Sequence, residues 1–146
     1  MIQKKILLVD DDPSILRILG DIFTDEGYTV VAATDGESGI EKVKEYNPNL
    51  IILDVMLPGI NGFEVCKLLK EDSKTKHIPI IILTGISTSI LTEHKKKALD
   101  LGANDYMSKP FNMEDLLNRA KTLIDQTQTF NSENYGNNTE LSVKTQ

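Results

Sequence analysis

The chain has 146 residues, 40% hydrophobic and 26% charged, enough for one hydrophobic core and too few for several. A formal net charge of -6 excludes a surface that neutralises nucleic-acid phosphates on its own, so direct nucleic-acid binding is not expected. The single cysteine, Cys66, cannot close an intrachain disulfide, and the first apolar run, Ile6 to Val9, stops at three aspartates. It is too short for a signal or membrane segment, and a cytoplasmic protein is expected.

In chain order, Ile6–Val9 reads as a buried strand. Asp12 can then cap a helix and Pro13 suits its first position. Ile15, Leu16, Ile18, Leu19, Ile22 and Phe23 form that helix's apolar face, and Gly27 stops it. Further strands are predicted at Thr29–Ala32, Leu50–Leu53, Ile78–Leu83 and Asp105–Met107. Helices are predicted between and after them at Gly39–Tyr46, Phe63–Lys70, Glu93–Leu101 and Met113–Ile124, the last with Met113, Leu116, Leu117, Ala120, Leu123 and Ile124 on one face. Strands too apolar for one-sided exposure, alternating with amphipathic helices, imply a doubly wound α/β fold: five parallel strands with helices on both faces. From about Gln126 the composition turns polar, with Phe130, Tyr135, Leu141 and Val143 scattered without period. Residues 1–125 are therefore expected to form the domain and 126–146 a flexible tail, with no output domain following.

Open α/β sheets gather ligands at the carboxyl ends of their strands. The residues there are Asp10-Asp11-Asp12 after the first strand, Asp54 after the third, Thr84 at the end of the fourth, and Lys109-Pro110 after the fifth. Packed carboxylates repel one another unless one stays protonated or a cation neutralises them, and hard, oxygen-seeking Mg²⁺ suits that task. Beside a lysine and a hydroxyl, such a cluster can cradle the oxygens of a phosphoryl group.

Four stretches together, Ile6-Leu7-Leu8-Val9-Asp10-Asp11, Leu53-Asp54-Val55-Met56-Leu57-Pro58-Gly59, Leu83-Thr84-Gly85 and Gly102 to Phe111, resemble the receiver domain of two-component response regulators, over about Lys4 to Ile124. The resemblance implies a flavodoxin-like fold and a phosphoaccepting function without a separate enzymatic activity. Asp54 would take a phosphoryl group from a histidine kinase or phosphotransfer protein. Asp11 and Asp54 would bind Mg²⁺ directly, Asp10 directly or through water, and Met56 by its backbone carbonyl. Lys109, before a cis proline, would pair with the phosphoryl group. Thr84 would donate to it while the Tyr106 ring rotates inward, switching the surface of the fourth helix, fifth strand and fifth helix for a downstream protein or a phosphorylation-dependent dimer. Met56 and Ile86 would flank the water that ends the signal. The family pattern is departed from at Ile86 to Leu91, a Ser/Thr-rich stretch that lengthens the loop after Thr84.

Blander readings exist for each residue. Asp10-Asp11-Asp12 could be a solvated helix start, Tyr106 a core-edge tyrosine, and Lys95-Lys96-Lys97 a solvated helix face. Cys66, His77 and His94 read as structural or surface residues. Two other functions compete: a haloacid-dehalogenase-like phosphatase with Asp10 as nucleophile, suggested by the Asp-x-Asp spacing, and a receiver-like module that binds partners without phosphorylation. The first needs a cap domain the sequence has little room for. The second would lack the acceptor, the metal ligands or the lysine.

Overall fold

The computed structural model describes the backbone of residues 3–85 and 91–140, and side chains among these up to residue 126. Five strands, β1 (Lys5–Val9), β2 (Thr29–Ala33), β3 (Leu50–Leu53), β4 (Ile80–Thr84) and β5 (Asp105–Ser108), form one sheet in the order β2-β1-β3-β4-β5. All neighbours are parallel. Helices α1 (Pro13–Asp25), α2 (Gly36–Tyr46), α3 (Gly62–Glu71), α4 (Leu91–Asp100) and α5 (Met113–Glu140) connect and follow them.

Strand side chains alternate between faces, so each apolar run is divided between two cores. Leu7, Val9, Ile51, Leu53, Ile80, Ile82 and Tyr106 point to the layer built from α2, α3 and α4 through Val43, Phe63, Val65, Cys66, Leu69 and Ala98. Ile6, Leu8, Leu50, Ile52, Ile81, Leu83 and Met107 meet Leu19 and Phe23 of α1 and Leu116, Ala120 and Ile124 of α5. Continuous hydrophobicity in the strands is thus the mark of a sheet covered on both sides, as expected from the sequence.

Local signals set the helix ends. Asp12 caps α1 by accepting from the Ser14 N–H at 2.9 Å, with Pro13 in the first position, and Gly27 follows the helix at φ 96°. Helix α2 starts at Gly36, before the predicted Gly39, because the Asp35 carboxylate accepts from Ser38 N at 2.7 Å. Strand β4 starts at Ile80, not Ile78: Pro79 has no N–H, and Ile78 N is used by a turn to Thr75 O at 3.0 Å. Helix α5 continues past the predicted end at Ile124 to Glu140.

At the amino-terminal edge of the sheet Lys70 bridges three segments. Its Nζ donates to Lys76 O, Ile78 O and Asn104 Oδ1 at 3.0, 2.7 and 3.1 Å, and burial lowers its pKa. Asn104 Oδ1 also accepts from Ile80 N at 3.0 Å, so the entries of β4 and β5 are tied together. Nothing in the spacing of these residues announces the link.

Candidate functional site

The order of strands reverses between β1 and β3, the first connected onward to one edge and the second to the other, and this is where doubly wound sheets open a crevice. Asp10 and Asp54 stand one residue beyond these two strands, and the ladder holds both: Asp10 N donates to Ala33 O at 3.1 Å and Asp54 N to Val9 O at 2.9 Å. Both residues are buried, 5% and 6% exposed, while Asp11 is exposed. One oxygen from each of Asp10, Asp11 and Asp54 falls within 4.8 Å of the others.

Lys109 enters from beyond β5. Its N–H donates to Thr84 O at 2.9 Å and the following peptide to Pro110 is cis. Its Nζ donates to Asp10 Oδ2 at 2.6 Å and to Asp54 Oδ2 at 3.3 Å. The other Asp10 oxygen accepts from Asp12 N at 2.9 Å, and Asp54 Oδ1 accepts from Met56 N at 3.3 Å.

Burial pushes the Asp10 carboxyl above the usual carboxylate range, with the Lys109 and Asp12 hydrogen bonds opposing it and the charge of Asp54 adding to it. Burial works to lower the pKa of Lys109. Its hydrogen bond to Asp10 and the charges of Asp54 and Asp10 outweigh that and hold it above the ordinary lysine value. Three carboxylates against one ammonium leave two negative charges uncompensated. An all-oxygen donor set with that deficit fits a hard divalent cation.

Thr84 ends β4 and Tyr106 lies in β5. Thr84 is fully buried and its Oγ1 has no hydrogen-bond partner among the described residues. The Tyr106 ring is already inside, 5% exposed and part of the core against α3 and α4, with its hydroxyl unpartnered among the described residues. Burial raises the phenol's pKa. Two idle buried hydroxyls are a cost that a new acceptor would remove. Ile86, one of the residues expected to flank the site, lies outside the described residues. Met56, the other, is 65% exposed beside the cluster.

Sequence reasoning missed the support behind Asp54. At Gly62 an added Cβ would lie 2.1 Å from Asp54 O, so only glycine lets α3 pack against the strand end. Phe63 follows it, with the His94 ring 5.2 Å away edge-on and Lys97 Nζ 4.7 Å from its centroid. With Asp11, Met56 and Asn61 they line a cleft of about 640 Å³. The lysine run of α4 is thus divided: Lys96 pairs with Asp100 at 2.9 Å, and Lys97 covers an aromatic ring.

The family model for the response regulator receiver domain matches residues 6–121. The chain belongs to this family. It is 38% identical over 84% of its length to the DNA-binding dual master transcriptional regulator RpaA of Synechocystis, covering 50% of that protein. To the alkaline phosphatase synthesis regulatory protein PhoP of Bacillus subtilis it is 41% identical over 84% of its length, covering 49% of it. The chain thus spans about half the length of these curated relatives. Among solved structures, a CheY-like receiver domain protein of Methanospirillum hungatei matches with TM-score 0.80 and 31% identity, covering 88% of this chain and 98% of that one. The chemotaxis protein CheY4 of Vibrio cholerae matches with TM-score 0.76 and 34% identity, covering 84% and 99%. The receiver domain is a two-component phosphoacceptor module, and neither the dehalogenase-like phosphatase nor the unphosphorylated module is favoured.

Proposed function

We propose that Asp54 is the phosphoacceptor. The observation that carries this reading is the placement of this buried residue at the end of β3, its carboxylate within hydrogen-bond reach of Lys109 and beside Asp10 and Asp11. An Asp54 oxygen would attack the phosphorus of a phosphohistidine or a small acyl phosphate, forming an acyl phosphate while the donor leaves with the bonding pair. Lys109 would then exchange its carboxylate contacts for a phosphoryl oxygen. Asp10, Asp11, Asp54 and the Met56 carbonyl would hold Mg²⁺, whose chemistry is to neutralise charge that develops on the phosphoryl oxygens. Self-catalysed phosphorylation and slow dephosphorylation are part of this reading.

Thr84 would donate its idle hydroxyl to the new group. Because the Tyr106 ring is already buried, its part would be to take a hydrogen-bond partner inside rather than to move there, altering the face of α4, β5 and α5. A histidine kinase or phosphotransfer protein would be the donor, and a downstream protein or a second copy of the receiver the reader of that face, without nucleic acid at the receiver itself. Residues 1–125 would be the receiver unit and 126–146 a polar extension. A cytoplasmic site of action is part of this reading, and no described helix is long and apolar enough to cross a membrane. Incubation with acetyl phosphate and Mg²⁺, followed by intact-mass measurement, tests the proposal: wild type should gain one phosphoryl group and Asp54→Asn none. Equal labelling of both would remove Asp54 from this role.

A further inference from the structure

The sequence holds a single Asn-Gly pair, Asn61-Gly62, and a single Asp-Gly pair, Asp35-Gly36. Both occupy the cap and first position of a helix, α3 and α2. Gly36 is packed against Ile60, the residue before Asn61: an added Cβ would meet Ile60 Cγ1 at 2.6 Å. Asparagine followed by glycine is chemically fragile, because glycine has no side chain to shield its backbone nitrogen. That nitrogen, once deprotonated, attacks the asparagine Cγ. A new C–N bond forms, the bond from Cγ to the amide nitrogen Nδ2 breaks, and ammonia leaves with the proton. Water then opens the cyclic imide at either carbonyl, giving aspartate or isoaspartate.

We propose that Asn61-Gly62 is a latent deamidation site that the fold of the β3–α3 connection holds unreactive. Four features oppose ring closure. Gly62 N, the attacking atom, donates to the carbonyl of buried Val55 at 2.9 Å, so losing its proton breaks a buried hydrogen bond. Asn61 Oδ1 accepts from Glu64 N at 3.0 Å, which fixes the side chain as the helix cap. The Asn61 ψ of 173° is extended and turns the Gly62 nitrogen away from the plane a five-membered ring requires. Gly62 is also packed closely against the strand end, since an added Cβ would lie 2.1 Å from Asp54 O.

The two products should differ sharply. Aspartate caps a helix as well as asparagine does, so that product keeps α3 in place. Isoaspartate inserts an extra methylene between the Asn61 Cα and the Gly62 nitrogen, where the backbone is packed against Asp54. It should therefore release the start of α3 and disturb Asp54, a consequence that rests on the function proposed above. The reaction rate does not rest on it.

The full-length protein is incubated at 37 °C and mildly alkaline pH, folded in buffer and unfolded in urea, and the Asn61 peptide is quantified over time by mass spectrometry with isoaspartate detection. Conversion should be at least about tenfold slower in the folded protein, as for a site that reacts only on local opening. Equal rates in the two states would overturn the proposal, as would no conversion in urea. As a second readout, Asn61→Asp should keep the wild-type melting temperature, while the isoaspartate fraction should melt lower. An isoaspartate form as stable as wild type would refute the packing argument without touching the role of Asp54.

Discussion

The same substitution, glycine to alanine, should have opposite signs at two helix positions. At Gly20, inside α1, no heavy atom lies within 4 Å of an added Cβ, so Gly20→Ala should stabilise by about 0.5–1 kcal/mol through the lower entropy of the unfolded state. At Gly62 the Cβ would sit 2.1 Å from Asp54 O and 2.8 Å from Val55 Cα. These are backbone atoms, and relief requires a shift of about 1 Å. Overpacking of this kind costs about 1–3 kcal/mol. The two variants should thus differ by about 1.5–4 kcal/mol in urea unfolding, several degrees in melting temperature for a domain of this size. The shift also moves the residue that bears the acceptor carboxylate, so labelling by acetyl phosphate should slow by about 10- to 100-fold in Gly62→Ala and stay unchanged in Gly20→Ala. Gly62→Ala as stable as wild type, and labelled as fast, would refute the view that α3 is seated on Asp54.

Lys109→Met should destabilise the metal-free domain by about 1–3 kcal/mol, less than the 3–5 kcal/mol typical of a fully buried broken pair because the carboxylates can take up a proton. Urea unfolding with and without Mg²⁺ checks this, and Mg²⁺ should recover more stability in the variant than in wild type. Asp11→Ala should weaken Mg²⁺ binding measured by calorimetry, whereas Asp12→Ala, which removes the cap on Ser14 N, should cost about 0.5–2 kcal/mol of stability and leave the metal alone. Cys66 is fully buried and its thiol is pushed up to about 11 from 9.0. A folded value above the unfolded one means stability is intact below pH 9.0 and falls as the pH rises through about 11. The difference between wild type and Cys66→Ala should therefore vary only above pH 9, by up to about 3 kcal/mol. A difference that is constant across that window would show the thiol is not desolvated.

The fold was legible because its signals are redundant. Strands β1 to β4 are short apolar runs containing β-branched residues, with a weaker signal at β5, and each of α1, α2 and α3 opens on Asp12, Asp35 or Asn61, residues that cap by their own side chains. The misplaced start of β4 came from reading Ile78 by hydrophobicity when Pro79 has no N–H to give and Ile78 N is taken by a turn to Thr75 O. The end of α5 misled for a different reason: loss of apolar period after Ile124 ends the packed face, and a helix can continue without one. At the site, Asp10, Asp11, Asp54, Thr84 and Lys109 could be found because topology brings strand ends together in any parallel sheet. The seat at Gly62, the Phe63–Lys97 contact and the Lys70–Asn104 link depend on tertiary distances between helices, which no local spacing encodes. The inward Tyr106 is likewise a matter of packing, since a tyrosine near a strand end reads the same whether its ring is in or out.

The most direct test locates the phosphoryl group. After brief treatment with acetyl phosphate and Mg²⁺, the acyl phosphate is reduced with borohydride and the converted residue is mapped by peptide sequencing. The label should appear at Asp54 in wild type and disappear in Asp54→Asn. A label at Asp10 would contradict the assignment and point to a nucleophile at the end of β1 instead.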